Sequence, residues 1–297
     1  MISIKNLTMK YPNGRGIFDI DIEVAKGQVV GFLGPNGAGK TTTIRCLLGF
    51  MKGQSGECSI NGQECFKNAH HLARNIGFIA GEPAFPGGMT GMEYFNFLCE
   101  VRKKDVKHAE EMNKRTEELI AYFELDAKYK IRRMSKGMKQ KTAIIAAFMH
   151  EPDIYILDEP SSGLDPLMQN KFVDLLLKEK KKGKTVLMSS HMFEEVERTS
   201  DFILIIKGGR IVAKDTVKGL KYLQSKVFII ESPDIKKIKG FNMNINSDTQ
   251  AEVLVPATEV DKFIKEIAKH KIDGLLSKEV SLENIFMHYY QQEKEAK

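Results

Sequence analysis

Alternating and continuous apolar segments predict several β-strands in the first 80 residues. Residues 2–11 and 17–24 alternate between apolar and polar side chains, as strands with one buried face do. Residues 28–33 and 76–80 are short, mostly apolar runs of the length of fully buried strands. A shorter strand at residues 58–60 ends at an Asn-Gly pair, which is a hairpin signal. The chain therefore begins as a β-rich structure.

Helical periodicity replaces this pattern between about residue 85 and residue 150. Apolar side chains recur at helical spacing in residues 92–103, 108–124 and 135–147, which predicts three helices. We therefore expect a helical subdomain that is inserted between two strands of the core.

Strands and helices alternate again after the predicted insertion. A strand at residues 153–157 is followed by a helix at about residues 166–182 and by a strand at residues 185–188. Residues 202–206 and 210–213 predict a closing hairpin. This order predicts an α/β fold whose parallel sheet is covered by helices on both faces. Ligands of such sheets bind beyond the carboxyl ends of the strands.

The pattern changes once more from about residue 222. Residues 227–231 and 252–255 predict strands, and two helices are expected, one capped by Thr258 and one starting at Ser281. This stretch holds no recognisable set of catalytic residues. We therefore expect residues 222–297 to form a small α/β accessory domain that serves docking or regulation rather than chemistry.

Composition and charge are ordinary for a soluble globular protein. The 297 residues are 42% apolar and 28% charged, with a formal net charge of +6. The densest basic run, residues 178–184, falls at a predicted helix end and contains no aromatic residue, so we expect no nucleic-acid partner. The four cysteines have no metal-ligand spacing. Since no apolar run approaches the ~18 residues of a membrane span, any membrane contact is expected to need another chain.

The stretch after the strand at residues 28–33 fits a phosphate-binding loop, G-x-x-x-x-G-K-[ST]. Its residues are Gly34, Pro35, Asn36, Gly37, Ala38, Gly39, Lys40, Thr41 and Thr42. The glycines let successive N–H groups turn toward one anion, and the helix that follows adds its N-terminal partial charge. Lys40 supplies a full charge to the β- and γ-phosphates, and the Thr41 hydroxyl suits Mg²⁺. The loop therefore predicts binding of a nucleoside triphosphate together with Mg²⁺.

Two carboxylates and a histidine follow later strands of the predicted sheet. Asp158 and Glu159 end the strand at residues 153–157, and His191 follows the next strand. Opposite a phosphate-binding loop, such an Asp holds Mg²⁺ directly or through water, and the Glu after it can orient an attacking water. The alternative interpretation is a pair of solvated carboxylates at a strand end.

These motifs occur in one order along the chain. The phosphate-binding loop is followed by the sequence of residues 135–140, by Asp158-Glu159, by residues 163–165 and by His191. This series closely resembles the nucleotide-binding subunit of ATP-binding-cassette (ABC) transporters, and the resemblance spans residues 1 to about 217. A small-molecule kinase begins with a similar loop but lacks the later motifs.

The resemblance implies a fold and an activity. The fold is a P-loop NTPase (RecA-like) parallel-sheet core with an N-terminal antiparallel β subdomain, an inserted helical subdomain at about residues 85–150 and a small C-terminal α/β appendage. The activity is ATP hydrolysis.

It also implies a role for each matching residue. The roles are catalysis for Lys40, Glu159 and His191, Mg²⁺ binding for Thr41 and Asp158, adenine stacking for Tyr11, contact with the ATP of a second copy for Ser135, Lys136 and Gly137, and a place on the dimer seam for Asp165. Without the family, Tyr11 is equally a strand-end aromatic residue.

The partners that the resemblance implies are a second ATP-binding subunit, identical or paralogous, and a multi-span membrane permease. The inserted helical subdomain would receive a short helix of the permease. The chain would then lie at the cytoplasmic face of the cell membrane, attached through the permease.

Two departures from the family pattern matter for the site. The signature usually reads Leu-Ser-Gly-Gly-Gln, and Lys136 replaces one of its glycines, which requires an ordinary backbone conformation there. A glutamine normally follows the strand at residues 76–80, and Gly81 takes that place. We hypothesise that Glu82 substitutes for this glutamine as γ-phosphate sensor and Mg²⁺ ligand. The alternative is that Glu82 precedes the Pro83 turn in solvent.

The end of the chain bears on the kind of transporter. Residues 281–290 resemble the tails of bacterial drug- and bacitracin-export ATPases, which pair with a six-helix permease. The expected function is therefore the ATP-hydrolysing subunit of an exporter of drugs, peptides or other hydrophobic compounds. The alternative is a soluble ABC-type ATPase that acts on ribosomes or DNA, which a single phosphate-binding loop and the lack of sustained heptads disfavour.

Overall fold

The computed structural model describes residues 1–219, 226–241, 243–278 and Phe286. The chain divides into two compact units, Met1–Lys214 and Asp215–Lys297. Within the described ranges, no helix is long and apolar enough to cross a membrane. The helix predicted to start at Ser281 lies outside the described residues, Phe286 excepted.

The part of the chain up to Thr216 alternates strands and helices. Its strands are β1 (Ile2–Lys10), β2 (Gly16–Val24), β3 (Val29–Leu33), β4 (Ser55–Ile60), β5 (Gln63–Glu64), β6 (Ile76–Ile79), β7 (Ile154–Asp158), β8 (Thr185–Ser190), β9 (Phe202–Lys207) and β10 (Arg210–Thr216). Its helices are α1 (Lys40–Leu47), α2 (Ala69–Arg74), α3 (Gly91–Arg102), α4 (Val106–Tyr122), α5 (Lys136–Phe148), α6 (Pro166–Lys181) and α7 (Phe193–Thr199). The sequence pattern does not predict α2 and α7, because six and seven residues make at most about two helical turns.

Two sheets form the framework of the first unit. The first sheet is antiparallel and has the strand order β2-β1-β4-β5. The second has the order β10-β9-β3-β8-β7-β6, and its strands from β9 to β6 run parallel. Both the antiparallel β subdomain and the parallel-sheet core are therefore confirmed.

The register of the parallel sheet brings three strand ends to one level. Leu33 at the end of β3 pairs with Ser190 on β8, and Asp158 at the end of β7 pairs with Ser189. Side chains that follow β3, β7 and β8 consequently lie at the same edge of the sheet.

The predicted helical insertion is confirmed, because α3, α4 and α5 all lie between β6 and β7 in the chain. Thr90 begins α3 with a capping box: its hydroxyl accepts from the Glu93 N–H, and the Glu93 carboxylate accepts from the Thr90 N–H. Asp105 and Ser135 cap α4 and α5 through their side chains.

A close approach between α7 and β3 depends on the glycine in the middle of β3. A Cβ atom on Gly31 would lie 2.3 Å from Cγ1 of Val196 and 2.8 Å from Oγ of Ser200. The lack of a side chain at this position therefore lets α7 pack directly on the strand that leads into the phosphate-binding loop.

Aromatic packing joins the helical insertion to the parallel sheet. Phe148 at the end of α5 is fully buried and stacks on Tyr155 of β7, with ring centroids 4.4 Å apart. The Phe148 ring also packs edge to face against Phe172 of α6, with ring centroids 6.3 Å apart. Phe148 therefore holds three elements together through apolar contact.

Between residues 226 and 278, the described part of the second unit forms a small antiparallel sheet and an α-helix. It contains β11 (Lys226–Glu231), β12 (Met243–Ile245), β13 (Gln250–Val255), α8 (Val260–Ile267) and β14 (Gly274–Lys278), and its strand order is β12-β13-β11-β14. Phe263 and Ile267 of α8 pack against buried side chains of the sheet such as Phe228.

The predicted cap at Thr258 is wrong. A 3-10 turn at Ala257–Glu259 runs directly into α8, and Glu259 occupies the N-cap position without a side-chain hydrogen bond.

Truncation of Phe148 should destabilise the first unit. Phe148→Ala should lower the free energy of unfolding by about 3–5 kcal/mol, because it removes a buried ring and leaves a cavity between α5, β7 and α6. Thermal unfolding followed by circular dichroism measures the effect. Phe97→Ala, at an exposed position of α3, is the control and should change stability by no more than about 0.5 kcal/mol. Equal melting temperatures of the two variants would contradict this account of the core.

Candidate functional site

A cleft of about 420 Å³ lies beside the phosphate-binding loop, beyond the carboxyl ends of β3 and β7. It is lined by Tyr11, Asn13, Arg15, Gly16, Pro35, Asn36, Gly37, Gly39, Lys40, Thr41, Thr42 and Glu159. Most of the loop and Glu159, the predicted catalytic carboxylate, therefore share one concave surface.

The loop owes its shape to two glycines with left-handed backbones. Gly37 has φ +80° and Gly39 has φ +115°, conformations that side chains other than glycine seldom tolerate. A Cβ atom on Gly39 would also lie 2.6 Å from Cγ2 of Ile17. Ala38 between them is buried, and its N–H donates to the Pro35 carbonyl at 3.2 Å. The loop can therefore curl tightly before α1 begins at Lys40.

Lys40 is a buried cation whose partners are all at the site. Only 6% of the residue is exposed. Its ammonium donates to the carbonyl oxygens of Gly34 at 2.5 Å and Pro35 at 3.3 Å, and it lies 3.4 Å from Oε1 of Glu159. A buried charge needs such compensation. Lys40 therefore links the phosphate-binding loop to the end of β7.

Asp158 joins three strand ends through its two carboxylate oxygens. Oδ2 accepts a hydrogen bond from the Thr41 hydroxyl at 2.7 Å, and Oδ1 accepts a short one from the Ser189 hydroxyl. Thr41 belongs to α1 after β3, and Ser189 belongs to β8. The structure thus brings together Thr41 and Asp158, the two residues expected to serve Mg²⁺.

The Glu159 side chain lies between Lys40 and His191. Oε1 is the oxygen near Lys40, whereas Oε2 accepts from the His191 N–H at 3.2 Å and contacts Nδ1 of the same residue. Oε1 is buried without a hydrogen bond. Glu159 also has φ +50°, a strained backbone for a residue with a side chain. Hydrogen bonds from its N–H to the carbonyl oxygen and hydroxyl of Ser189 hold this turn.

Tyr11 lies at the rim of the cleft. Its hydroxyl is 3.3 Å from that of Thr42 and 3.8 Å from the sulfur of Met51. Asn13 and Arg15 line the same rim and were not singled out by the sequence analysis. Both lie in the turn between β1 and β2, and the sequence does not show that this turn borders the cleft.

The signature residues lie near the loop that follows Glu159. Ser135 is exposed and accepts from the Met138 N–H at 3.2 Å as the cap of α5. Lys136 has a helical backbone, so the residue that replaces a glycine is not strained. Its side-chain carbons lie 3.0 Å from the position of a Cβ on Gly163, and Gly137 approaches the Gly163 carbonyl oxygen.

Asp165 and Glu82 lie at the surface. Asp165 is exposed and caps α6 by accepting from the Met168 N–H at 3.0 Å. Glu82 is exposed and borders a second cleft of about 630 Å³, which Glu159, His191 and Lys136 also line. A Cβ atom on Gly81 would lie 3.4 Å from Oδ2 of Asp158, so this backbone passes close to the carboxylate.

One buried carboxylate beside the site was not predicted. Glu195 on α7 is 4% exposed and accepts hydrogen bonds from the hydroxyls of Ser161 at 2.8 Å and Ser190 at 2.9 Å. Burial raises its pKa to about 6, although the two serine hydroxyls act in the opposite direction. Its neighbours Glu194 and Glu197 are also acidic, so the sequence offers no signal that separates it from a solvated helix face.

Comparisons with known proteins agree with this geometry. The ABC transporter family model matches residues 17–162. A bacitracin transport ATP-binding protein of Bacillus licheniformis is 34% identical over 240 residues, which cover 80% of this chain and 76% of that protein. The transporter ATP-binding protein EcsA of Bacillus subtilis (strain 168) is 33% identical over 223 residues, covering 74% of this chain and 89% of that protein.

Solved structures show the same fold. An ATP-binding subunit of an ABC transporter, 31% identical, has a TM-score of 0.69 and covers 74% of this chain and 92% of that chain. A dimeric structure of a bacterial ABC transporter cassette, 25% identical, has a TM-score of 0.67 and covers 73% of this chain and 99% of that chain.

None of these relatives is named for an action on ribosomes or DNA, so that alternative gains no support from them. Direct contacts link the phosphate-binding loop to Asp158 and Glu159, and Glu159 to His191, at one edge of the parallel sheet. The chain belongs to the ABC transporter family, as a subunit that binds and hydrolyses ATP.

Proposed function

We propose that this subunit powers a separate multi-span permease that exports drugs, peptides or other hydrophobic compounds. The observation that carries the ATP-hydrolysing part of this proposal is the position of the Glu159 carboxylate, between Lys40 and His191 beside the phosphate-binding loop. Two relatives named for bacitracin transport, at 34% and 32% identity, support the choice of cargo.

Residues 34–42 hold the triphosphate of ATP in this proposal. Their backbone N–H groups and the start of α1 face the anion, and Lys40 places its ammonium against the β- and γ-phosphates. Tyr11 offers its ring to adenine at the rim of the same cleft, and Arg15 adds a second cation there.

Thr41 and Asp158 fit a Mg²⁺ ion. Both offer oxygen ligands, and the Thr41 hydroxyl oxygen lies 2.7 Å from Oδ2 of Asp158. When bound, Mg²⁺ neutralises charge on the β- and γ-phosphates. The hydrogen bond from Ser189 fixes the carboxylate of Asp158 in this orientation. Glu82 is proposed as a further oxygen ligand, since the Gly81 backbone beside it passes Asp158.

Glu159 orients the attacking water and accepts its proton. His191 contacts Glu159 through its N–H and Nδ1, which steers the carboxylate and leaves Nε2 for the γ-phosphate. Lys40 stabilises charge that develops on the transferred phosphoryl group.

A second ATP-binding subunit, identical or paralogous, is proposed to complete the site. Ser135, Lys136 and Gly137 present the N-terminus of α5 to the ATP of that subunit, and Asp165 lies on the seam. Lys136 and Gly137 pack against Gly163, so the signature and the loop before Asp165 form one surface. The dimeric state of the related cassette supports this assembly.

The permease is proposed to dock on α3, at the cytoplasmic face of the cell membrane. Phe97 and Val101 are large apolar residues that α3 leaves exposed, one helical turn apart. A short apolar helix of the permease fits such a surface. Residues 222–297, which were expected to form an accessory domain, are proposed to serve docking or regulation.

Glu159→Gln should bind ATP but hydrolyse it at least about 100-fold more slowly, because an amide keeps the shape of the side chain and cannot accept a proton from water. With ATP and Mg²⁺ this variant should form a stable dimer. Phosphate release measures turnover, and light scattering after gel filtration measures the dimer.

Two lysine variants are the controls for Glu159→Gln. Lys40→Ala should lose tight ATP binding and stay monomeric, whereas Lys67→Ala, at an exposed lysine of the same unit, should behave as wild type. Wild-type turnover of Glu159→Gln would remove Glu159 from the catalytic role and favour His191.

Glu82→Ala should raise the Mg²⁺ concentration that half-maximal ATPase activity requires, because it removes a carboxylate ligand. Gly81→Gln in the same background should partly restore the wild-type requirement, since an amide oxygen then follows β6. Steady-state ATPase activity against Mg²⁺ concentration measures both effects. Three superimposable curves would show that Glu82 is only a solvated residue before Pro83.

Phe97→Glu and Val101→Glu should release the chain from the membranes of its native host, because a charge in an apolar contact is costly. ATP affinity should not change. Val106→Glu is the matched control, since Val106 is 75% exposed at the start of α4. Sedimentation and immunoblotting measure the distribution. Sedimentation of the wild type with ribosomes, or retention of both variants on membranes, would refute the docking surface.

A further inference from the structure

The buried carboxylate of Glu195 connects two loops that carry the proposed catalytic residues. Ser161 follows Glu159 by two positions, and Ser190 immediately precedes His191. Both hydroxyls donate to the same oxygen, Oε2 of Glu195, at 2.8 Å and 2.9 Å. One side chain on α7 therefore fixes the spacing between the loop after β7 and the end of β8, which His191 follows.

This connection lies opposite a second one. Ser189, the neighbour of Ser190, joins Asp158 and the N–H of Glu159 from the other side of the strand end. Successive residues of a strand point to opposite faces of the sheet. Ser189 therefore contacts the Glu159 loop directly, from one face of the sheet. Ser190 is linked to the same loop from the other face, through Glu195 and Ser161.

Glu195 is not explained by packing alone. It is 4% exposed, its Oε1 has no hydrogen-bond partner, and a buried carboxylate that is only partly hydrogen-bonded destabilises a fold. The charged groups that act on it are Glu159, which raises its pKa, and His191, which lowers it. An apolar side chain would avoid this cost but would accept no hydroxyl hydrogen bond.

We propose that Glu195 is a positioning residue, which sets the Glu159 loop and the His191 loop in register for ATP hydrolysis. The proposal rests on the roles proposed above for Glu159 and His191. The hydrogen bonds of Glu195 go to Ser161 and Ser190, beside the proposed catalytic residues and not at the phosphate-binding loop, so its loss should affect turnover and not the binding of ATP.

The test compares Glu195→Ala and Glu195→Gln in the full-length chain. Glu195→Ala should lower kcat about tenfold or more, while KM and the affinity for a fluorescent ATP analogue stay within about threefold of wild type. Glu195→Gln should keep kcat within about threefold, because its amide oxygen can still accept both serine hydroxyls. Glu194→Ala, at an exposed position of the same helix, is the matched control and should equal wild type.

Serine variants decide whether the effect runs through the two loops. Ser161→Ala and Ser190→Ala should each lower kcat with unchanged KM, and neither should add to the defect of Glu195→Ala. Wild-type kcat in Glu195→Ala, an equal defect in Glu195→Gln, or additive serine effects would each overturn the proposal.

Two further results keep the test decisive. If Glu195→Ala does not fold, wild-type kcat in both serine variants overturns the proposal by itself. Wild-type turnover of Glu159→Gln would instead refute the catalytic role proposed for Glu159, whatever the Glu195 variants do.

Discussion

The hydrogen bonds that Asp158 accepts from Thr41 and Ser189 are the junction on which the site depends. They join the ends of β3, β7 and β8, which the parallel register has already brought to one level. The phosphate-binding loop, the carboxylate pair and the histidine lie more than 100 residues apart in the chain at their extremes, yet each needs only to follow its own strand to arrive. The parallel sheet brings the three strand ends near one another, and the hydrogen bonds of Asp158 fix the distances between them.

Charges at this junction stabilise one another in place of water. Lys40 is buried against two carbonyl oxygens and Glu159, and Glu159 in turn lies against His191. A lone charge at any of these positions would be costly, so the group behaves as a unit in which one substitution disturbs the others. The left-handed backbone of Glu159 adds local strain that the hydrogen bonds to Ser189 hold in place.

Local determinants explain which parts of the molecule the sequence predicts. The phosphate-binding loop carries its glycines, lysine and threonine within nine residues, and the strands show their period over five to nine residues. Features made by distant partners are not predicted. Glu195 differs from Glu194 only because Ser161 and Ser190 meet it in space, and Arg15 enters the cleft through a turn with no motif of its own. Short helices such as α7 are missed because they show too little periodicity.

Gly31 gives this architecture a hidden point of sensitivity. It is buried in the middle of β3, and its missing side chain sets how closely α7, and Glu195 with it, approaches the strand before the phosphate-binding loop. A single added methyl group would move a helix, not a ligand contact. In a genetic screen for lost transport, a substitution at Gly31 would therefore have the same phenotype as a substitution in the active site. A map of tolerated variation that is based only on distance to the nucleotide would not identify Gly31 as sensitive.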